Sequence, residues 1–152
     1  MSIQKYLQER ILNEGVEYFG VDPEDLGDEE DVSYEDLEAV EELAKKNDIN
    51  ILRDKSINTI AKDRDKVIGG LWTSWDDNKF SFDVVVDITY GGQQIGTKLV
   101  DMAIDQFKYE NDAYDEPIMK IDVISHIMKK ILEKKGFEIE SERPGRWVMV
   151  RQ

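Results

Sequence analysis

Three short segments with the composition of β-strands follow one another between residues 57 and 88. The strand-like segments are 57–61, 67–75 and 80–88, and the polar turns between them are 62–66 and 76–79. Aromatic and β-branched residues with partial period-two alternation are typical of strands. Connections this short join antiparallel neighbours, so the sequence predicts three antiparallel strands in succession.

Helices and strands alternate in the remainder of the chain. A helix is predicted over 97–109, because its apolar side chains recur on one face. A strand over 118–123, a helix over 127–135 and a hairpin of 137–142 with 146–150 follow. Gly136 stands where helices commonly end in a left-handed conformation, and Pro144 and Gly145 are typical turn residues. This order of elements predicts a mixed α/β domain built on one sheet.

Two helices are predicted for the first 47 residues. The first spans 3–19 and stops at Gly20, and its apolar stripe consists of Ile3, Leu7, Ile11 and Leu12. The second begins at Ser33, which forms a capping box with Asp36. No repeat or linker divides the chain, so we expect a single domain over 1–152, with an acidic helical segment over 1–47 and a core over 57–150.

The charge of the chain is concentrated in one segment. The sequence has 20 basic and 34 acidic residues, a net charge of −14, and 12 of the acids lie between Asp22 and Glu42, where no Lys or Arg occurs. Such a run is usually a solvated surface, and it can also attract a cationic substrate or a basic partner. A net negative surface disfavours phosphate backbones, so we expect no nucleic-acid partner.

Several functional classes are excluded by composition. The chain has no cysteine and a single histidine, which rules out disulfides, thiol nucleophiles and multi-histidine metal sites. An EF-hand loop starting at Asp22 would place Leu26 and Ser33 at ligand positions, so no metal site is predicted. No run of about 18 apolar residues is present, so no membrane partner is expected. The lack of cysteine suits a reducing compartment, and we expect a cytoplasmic location.

A glycine-bearing turn joins the third strand to the helix at 97–109. The first turn of a helix has unpaired backbone N–H groups and the positive end of the helix dipole, which suit a diphosphate. Gly91, Gly92 and Gly96 would let phosphates approach the main chain, and Thr97 adds a hydroxyl donor. The spacing matches neither a P-loop nor a dinucleotide fingerprint, and a plain tight turn is the alternative.

Two segments resemble signatures of the GNAT superfamily of acetyl-CoA-dependent N-acetyltransferases. Residues 86–96 occupy the eleven positions of the loop signature V-x-P-x-x-R/Q-x-x-G-x-G/A, with Gly91 at the Arg/Gln position and Gln94 at the first glycine. Residues 131–137 match the end of the second signature, L-Y-E-K-x-G-F, with Leu132 in place of its tyrosine, and Ser125 stands where Asn is common. The resemblance spans about residues 57 to 150.

The resemblance implies both a fold and a cofactor. The fold is a mixed sheet, mostly antiparallel with a central parallel pair, with helices on both faces, and residues 57–150 become an acyl-CoA-binding core. The implied cofactor is acetyl-CoA. The residues implied to bind it are Val85, Val86, Gly91, Gly92, Gln93, Gln94, Ile95, Gly96 and Thr97.

Acetyl transfer to an amine requires a base, because an alkylammonium group with a pKa of about 10.4 must lose a proton before it attacks. Asp83 and Asp87 lie four residues apart on the third strand and should project from the same face. Either is a candidate catalytic base acting through water, with Asp83 favoured because Asp87 could instead stabilise the turn, and solvated strand-end aspartates are the alternative. The resemblance also implies an oxyanion donor, the main-chain N–H of Val85 or Val86, freed by a β-bulge.

Protonation of the leaving thiolate needs a donor that the sequence does not supply in the usual place. Leu132 stands where many members of the superfamily carry the tyrosine that does this. Ser125, which is a candidate catalytic residue, and Tyr90 and Tyr114 are the candidate replacements, and His126 is a candidate acid or base. A thiolate with a pKa of about 8.5 can also leave without an acid.

The expected function is transfer of an acetyl group from acetyl-CoA to a primary amine, which is a cationic small molecule, a polyamine, a protein lysine or a protein N-terminus. The alternative is a catalytically inactive GNAT-fold module whose acidic N-terminal segment docks a basic partner protein.

Trp72 and Trp75 should point to opposite faces of their strand, one in the core and the other a candidate wall of the acceptor pocket. The oligomeric state stays open, with a homodimer among the options.

Overall fold

Seven strands and three α-helices make up the described part of the chain, which in this computed structural model comprises residues 15–22, 32–47, 56–90 and 94–152. In chain order they are β1 (Val16–Gly20), α1 (Tyr34–Lys46), β2 (Ser56–Asp63), β3 (Lys66–Asp76), β4 (Lys79–Val86), α2 (Gln94–Glu110), β5 (Ile118–Val123), α3 (His126–Lys134), β6 (Glu138–Arg143) and β7 (Arg146–Arg151). Short 3-10 turns occupy Ile88–Tyr90 and Asn111–Ala113.

All seven strands belong to one sheet with the order β1-β2-β3-β4-β5-β7-β6. Every neighbouring pair is antiparallel except β4 and β5, which run parallel at the centre of the sheet. The predicted mixed sheet with a central parallel pair is therefore confirmed. Among the described helices, none combines the length and apolar character needed to cross a bilayer.

Helices cover both faces of the sheet because the side chains of each strand alternate between two cores. Phe80 and Phe82 of β4 join the larger core beneath α2 and α3, whereas Val85 joins a smaller core beneath α1. Val40 of α1 lies directly over Gly70 of β3, where a Cβ atom would collide with its side chain. The close approach of α1 to the sheet therefore depends on glycine at position 70, which has no side chain.

The helix predicted over 3–19 is wrong in its last five residues, of which Gly15 lies in a turn. Residues 16–19 belong to β1, which pairs antiparallel with β2 from Val16↔Asp63 to Gly20↔Thr59. Val16 and Tyr18 pack against the larger core and Phe19 against the smaller one, so this segment alternates with period two. The remainder of the predicted helix, residues 3–14, lies outside the described residues.

The other predicted elements are confirmed, with small shifts at their ends. Ser33 and Asp36 form the predicted capping box of α1, with Asp36 N–H donating to Ser33 Oγ at 3.2 Å and Ser33 N–H to Asp36 Oδ2 at 3.0 Å. Strand β4 ends at Val86 rather than at residue 88, and α2 begins at Gln94 rather than at residue 97. Gly136 has the predicted left-handed conformation, with φ of +88°. The acidic residues between 23 and 31 lie outside the described part.

Candidate functional site

The two central strands separate shortly after they meet. Their pairing is limited to Lys79↔Ile118 and Phe80↔Met119, and it begins where Ile118 N–H donates to the Asn78 carbonyl at 2.9 Å. Beyond Phe80, β4 continues to Val86 alongside β3, and β5 continues to Val123 alongside β7. The carboxyl ends of the parallel pair therefore form the two sides of a wedge, the place where open α/β sheets commonly bind ligands.

A cleft of about 330 Å³ occupies this wedge. Its walls come from residues 84–88 at the end of β4, Gly96 in the first turn of α2, residues around Ser125 before α3, and Ile131 inside α3. Asn47, which ends α1, completes the lining. The structure thus brings the two GNAT-like segments of the sequence together at a single cavity.

Hydrogen bonding between β3 and β4 determines which main-chain amides face the cleft. Asp87 N–H donates to the Ile68 carbonyl at 2.7 Å, and the register places Val86 opposite Gly69. In an antiparallel ladder only every second opposed pair exchanges hydrogen bonds, so the amide of Val85 faces β3 and that of Val86 faces the wedge. Of the two expected oxyanion donors, Val86 has the suitable orientation. Val85 is also part of the cleft lining, but its side chain is buried in the smaller core beneath α1.

The β-bulge implied for this strand is not present in its pairing with β3. The register runs without a shift from Gly69↔Val86 to Asp76↔Lys79, and every residue between Lys66 and Val86 is described. The amide of Val86 is freed instead by the divergence of β4 from β5. A donor for an oxyanion is therefore present without a bulge.

The first turn of α2 forms one side of the cleft. Ile95 is buried in the larger core, so only its main chain can face a ligand, whereas Gly96 lines the cleft directly. A Cβ atom on Gly96 would lie 3.5 Å from Ile131 Cδ1 and 3.8 Å from Val86 Cγ2, which are ordinary contacts. Gln94 is exposed and Thr97 half-buried at the same helix end. The other three predicted loop residues, Gly91, Gly92 and Gln93, lie outside the described residues.

Asp87 fixes the turn after β4. Its Oδ1 accepts from Thr89 N–H at 2.9 Å and from Thr89 Oγ1 at 2.8 Å, and its Oδ2 lies 3.5 Å from Lys66 Nζ. Burial alone would raise the pKa of Asp87, but the hydrogen bonds from Thr89 and the Lys66 ammonium outweigh it and hold the pKa below its usual value. The carboxylate therefore stays ionised at neutral pH.

The same carboxylate also lines a second, acidic groove of about 420 Å³ beneath α1. Acidic side chains from α1 and from the β2–β3 turn line this groove, namely Glu35, Asp36, Glu42 and Asp65. Two lysines, Lys46 and Lys66, are also part of its lining. Asp87 is thus shared between the apolar cleft and the acidic groove.

Asp83 lies on the α1 face of β4, opposite Trp72 in the register. Val85, two residues later, packs under α1, and Asp87 lines the groove beneath α1, so the three residues share one face as their spacing predicts. Asp83 is half-buried and is not among the residues that line the cleft. Of the two candidate bases, only Asp87 reaches the cleft wall.

Ser125 lies at the cleft and caps α3. Its Oγ accepts from Met128 N–H at 3.3 Å, and a serine oxygen that accepts in this way keeps its own O–H for donation. The side chain lines the cleft near the end of β5. Ser125 is therefore placed to donate a proton to a group bound there.

The other candidate acids do not reach the cleft wall. Tyr114 stacks on Trp75 with ring centroids 3.7 Å apart, near the opposite end of β4. Tyr90 donates from Oη to Asp63 Oδ2 at 2.5 Å, and this hydrogen bond, with some burial, raises the pKa of Tyr90 to about 12. His126 packs edge-on against Trp147, and Leu132 is fully buried in the larger core.

The two tryptophans of β3 point to opposite faces, as predicted. Trp72 is buried beneath α1, and Trp75 packs against Phe80 and Phe107 on the side of α2. Neither lines the cleft, so the structure gives no support to a tryptophan wall at an acceptor pocket.

Exposed isoleucines at the mouth of the cleft were not predicted from the sequence. Ile88, Ile124 and Ile127 are 85%, 46% and 59% exposed and line the cleft from three different elements. Large apolar residues next to the ends of predicted elements are the signal that could have identified them. Asn47 carried no such signal, because only the packing of α1 brings it to the cleft.

Solved structures of acyltransferases share this architecture. An acyl-CoA N-acyltransferase from Pseudomonas aeruginosa matches with a TM-score of 0.65 and 13% identity over 90% of this chain and 99% of that chain. An acetyltransferase of the GNAT family from Streptococcus pneumoniae matches with a TM-score of 0.64 and 13% identity over 90% and 98%. Salmonella typhimurium yncA, solved with its cofactor acetyl-CoA, matches with a TM-score of 0.52 and 15% identity over 64% and 65%.

At the level of amino-acid sequence, no family model and no curated protein matches the chain. Similarity at this level of identity reports on architecture. The fold is that of the GNAT acetyltransferases, as the two sequence segments implied.

Proposed function

We propose that this chain is a GNAT-superfamily N-acetyltransferase that transfers an acetyl group from acetyl-CoA to a primary amine. The observation that carries the proposal is the cleft at the divergence of β4 and β5, where both GNAT-like segments meet. An aliphatic cleft beside a helix N-terminus suits a cofactor that combines a diphosphate with a long, flexible arm.

The residues of the cleft fit this cofactor in three respects. The amides of the first turn of α2 suit its diphosphate, and Gly96 leaves room beside them. The inward amide of Val86 suits the thioester oxygen, where it stabilises developing negative charge. The isoleucines at the mouth offer apolar contact to the arm. Bound acetyl-CoA supplies the acyl group and the leaving thiolate.

Asp87 is the preferred candidate for handling the proton of the amine. It lines both the cleft and the acidic groove, so an amine in the groove lies next to a carboxylate at the cleft wall. Because its pKa is lowered, Asp87 is a weak base toward an ammonium group. It acts by attracting the cation and by ordering a water that relays the ammonium proton to bulk solvent, which leaves the neutral amine to attack. Asp83, on the same face, remains a candidate for a supporting role.

The acceptor is proposed to be cationic. The groove beside Asp87 is lined by Glu35, Asp36, Glu42 and Asp65, and all of these except Asp36 are exposed. Carboxylates grouped around a concave surface raise the local concentration of cations. A cationic small molecule, a polyamine, and a protein lysine or N-terminus all share this chemistry.

Ser125 is proposed as the proton donor to the leaving thiolate. It is the one candidate acid that lines the cleft within the described residues. Its ordinary acidity is weak, and a thiolate with a pKa of about 8.5 leaves readily without full protonation. A contribution to rate, rather than an absolute requirement, is expected from this hydroxyl.

A catalytically silent GNAT-fold module is the second candidate function. Leu132, at the position of the usual tyrosine, is fully buried, and α1 exposes four acidic side chains, Glu35, Glu38, Glu41 and Glu42. A basic protein surface is the partner that such a helix fits. This function needs no turnover and predicts binding that weakens as salt is added.

Calorimetric titration of the pure protein with acetyl-CoA distinguishes these two functions from each other. It also distinguishes them from a folded protein that does not bind acetyl-CoA. Saturable heat, followed by release of free thiol when amines of the cationic class are added, supports the acetyltransferase. Binding without thiol release over the whole amine panel supports the silent module. The absence of heat from a protein that circular dichroism shows to be folded rejects the acetyl-CoA site.

A further inference from the structure

The residues on either side of one tight turn hold both ends of the loop formed by residues 87–90 after β4. Asp63 and Lys66 are opposed in the β2–β3 register and flank the turn. Asp63 contacts Tyr90, at the end of the 3-10 turn, and Lys66 contacts Asp87, before that turn. We name these four residues the loop clamp.

The contact between Asp63 and Tyr90 is the shorter of the two. Tyr90 Oη donates to Asp63 Oδ2 at 2.5 Å, and an ionised acceptor strengthens such a hydrogen bond. The tyrosine ring packs against the larger core, which fixes its orientation. Because Asp63 belongs to β2, the hydrogen bond ties the loop to a strand within the sheet.

Lys66 connects the two ends of the loop. Its Nζ lies 3.5 Å from Asp87 Oδ2 and 5.2 Å from the centroid of the Tyr90 ring, which are an ion pair and a cation–π contact. Asp87 in turn accepts two hydrogen bonds from Thr89. The loop is thereby held at its first and last residues and braced internally.

The held segment is part of the cleft wall. Asp87 and Ile88 line the cleft directly, and Ile88 extends an 85% exposed side chain at its mouth. Tyr90 lies four positions before Gln94, where α2 begins. A displacement of Tyr90 would therefore move Ile88 at the cleft mouth.

We infer that Tyr90 and Asp63 are positioning residues that preset residues 87–90 at the cleft mouth for the arm of acyl-CoA, although neither Tyr90 nor Asp63 lines the cleft. The inference rests on the proposed function and assigns these residues to cofactor affinity rather than to chemistry. Asp87 lines the cleft and also belongs to the loop clamp, so it connects the clamp to the cleft. Loss of the Tyr90 hydroxyl leaves the core contacts of the ring in place and removes only the tie to Asp63.

The test compares Tyr90→Phe with Tyr109→Phe, a control in which the same hydroxyl is removed from an 89% exposed tyrosine of α2. We expect Tyr90→Phe to raise the Kd for CoA and the KM for acetyl-CoA about tenfold, with kcat changed less than about twofold. Tyr109→Phe should match wild type in all three. The split between KM and kcat separates positioning from a catalytic role.

Asp63→Asn provides a second variant, because its amide oxygen still accepts from Tyr90 but carries no charge. An intermediate rise in Kd is expected, and the double variant should not exceed Tyr90→Phe alone, since both remove one contact. Unchanged Kd in both single variants, with or without loss of thermal stability, overturns the inference. A folded wild-type protein that binds no CoA instead rejects the proposed function, so the two failures are distinguishable.

Discussion

Asp87 N–H donates to the Ile68 carbonyl at 2.7 Å, and this hydrogen bond decides which side of β4 is open to a ligand. It extends the β3–β4 ladder by one residue beyond Val86, so alternation turns the Val86 amide toward the wedge. The same bond places the Asp87 carboxylate between the cleft and the acidic groove. One ladder position thus sets both the proposed oxyanion donor and a charge beside the proposed acceptor groove.

Replacing Gly96 with leucine should abolish CoA binding, because the added side chain fills the cleft between Ile131 and Val86. Gly96→Ala is the matched control, since a Cβ at this position makes only ordinary contacts and should leave binding within about threefold of wild type. Calorimetry measures both. Retained binding in the leucine variant would place the cofactor elsewhere.

Ser125→Ala should affect both stability and turnover, whereas Ser33→Ala should affect stability alone. Each removes a helix cap and should cost about 1 kcal/mol of unfolding free energy in urea. Only Ser125 lines the cleft, so only its loss should lower kcat, by up to about 10²-fold. Equal kcat values for the two variants would remove Ser125 from the chemistry.

Gly70→Ala should destabilise the fold by about 1–3 kcal/mol, because the new methyl group collides with Val40 and approaches the Trp72 ring. Gly20→Ala, at the end of β1, has no atom within 4 Å of the added Cβ and should change stability by less than about 0.5 kcal/mol. Urea unfolding curves report both. A similar loss in the two variants would argue that backbone freedom, not packing of α1, is the cause.

The contribution of Tyr90 to stability should depend on pH in the alkaline range. Its pKa is raised from 10.0 to about 12 by the hydrogen bond to Asp63, so its stabilisation is complete below pH 10 and lost as the pH rises through 12. Tyr90→Phe should be about 1–2 kcal/mol less stable than wild type at pH 8. The difference should vanish near pH 12, and a constant difference would show that the hydroxyl does not titrate with folding.

The pH dependence of acetyl transfer should follow the deprotonation of the acceptor amine rather than that of Asp87. Because the pKa of Asp87 lies below its usual value of 3.8, the carboxylate stays ionised throughout the neutral range. We expect kcat/KM to rise with pH as the acceptor deprotonates, with no inflection from Asp87 between pH 5 and 8. Asp87→Asn should lower kcat/KM for a cationic amine and leave the shape of this profile unchanged.

The order of elements from residue 56 onward was predictable because local signals agree there. Alternating apolar residues, short turns and Gly136 all act within a few positions of one another, and the strands and helices they predict are present. The strand β1 was missed because five residues, Val16–Gly20, follow a longer helical stripe, and their pairing with β2 lies more than 35 positions away. Only tertiary contact determines such a strand.

The cleft was predictable only in part, for a similar reason. Val86, Gly96 and Ser125 could be identified because they belong to recognisable segments. Asn47 and Ile88 could not, because their place in the wall results from the packing of α1 and the separation of β4 from β5. The limited pairing of those strands is a property of the whole sheet, and no short pattern encodes it.

Asn47 belongs to two structures at once, as the C-terminal cap of the acidic helix α1 and as part of the cleft wall. A partner that binds α1 and shifts its C-terminal end would change the space open to a ligand in the cleft. Thermodynamic reciprocity then requires the ligand to change the affinity for that partner by the same factor. Asn47 would therefore link the two proposed functions, cofactor binding and partner docking, in one equilibrium.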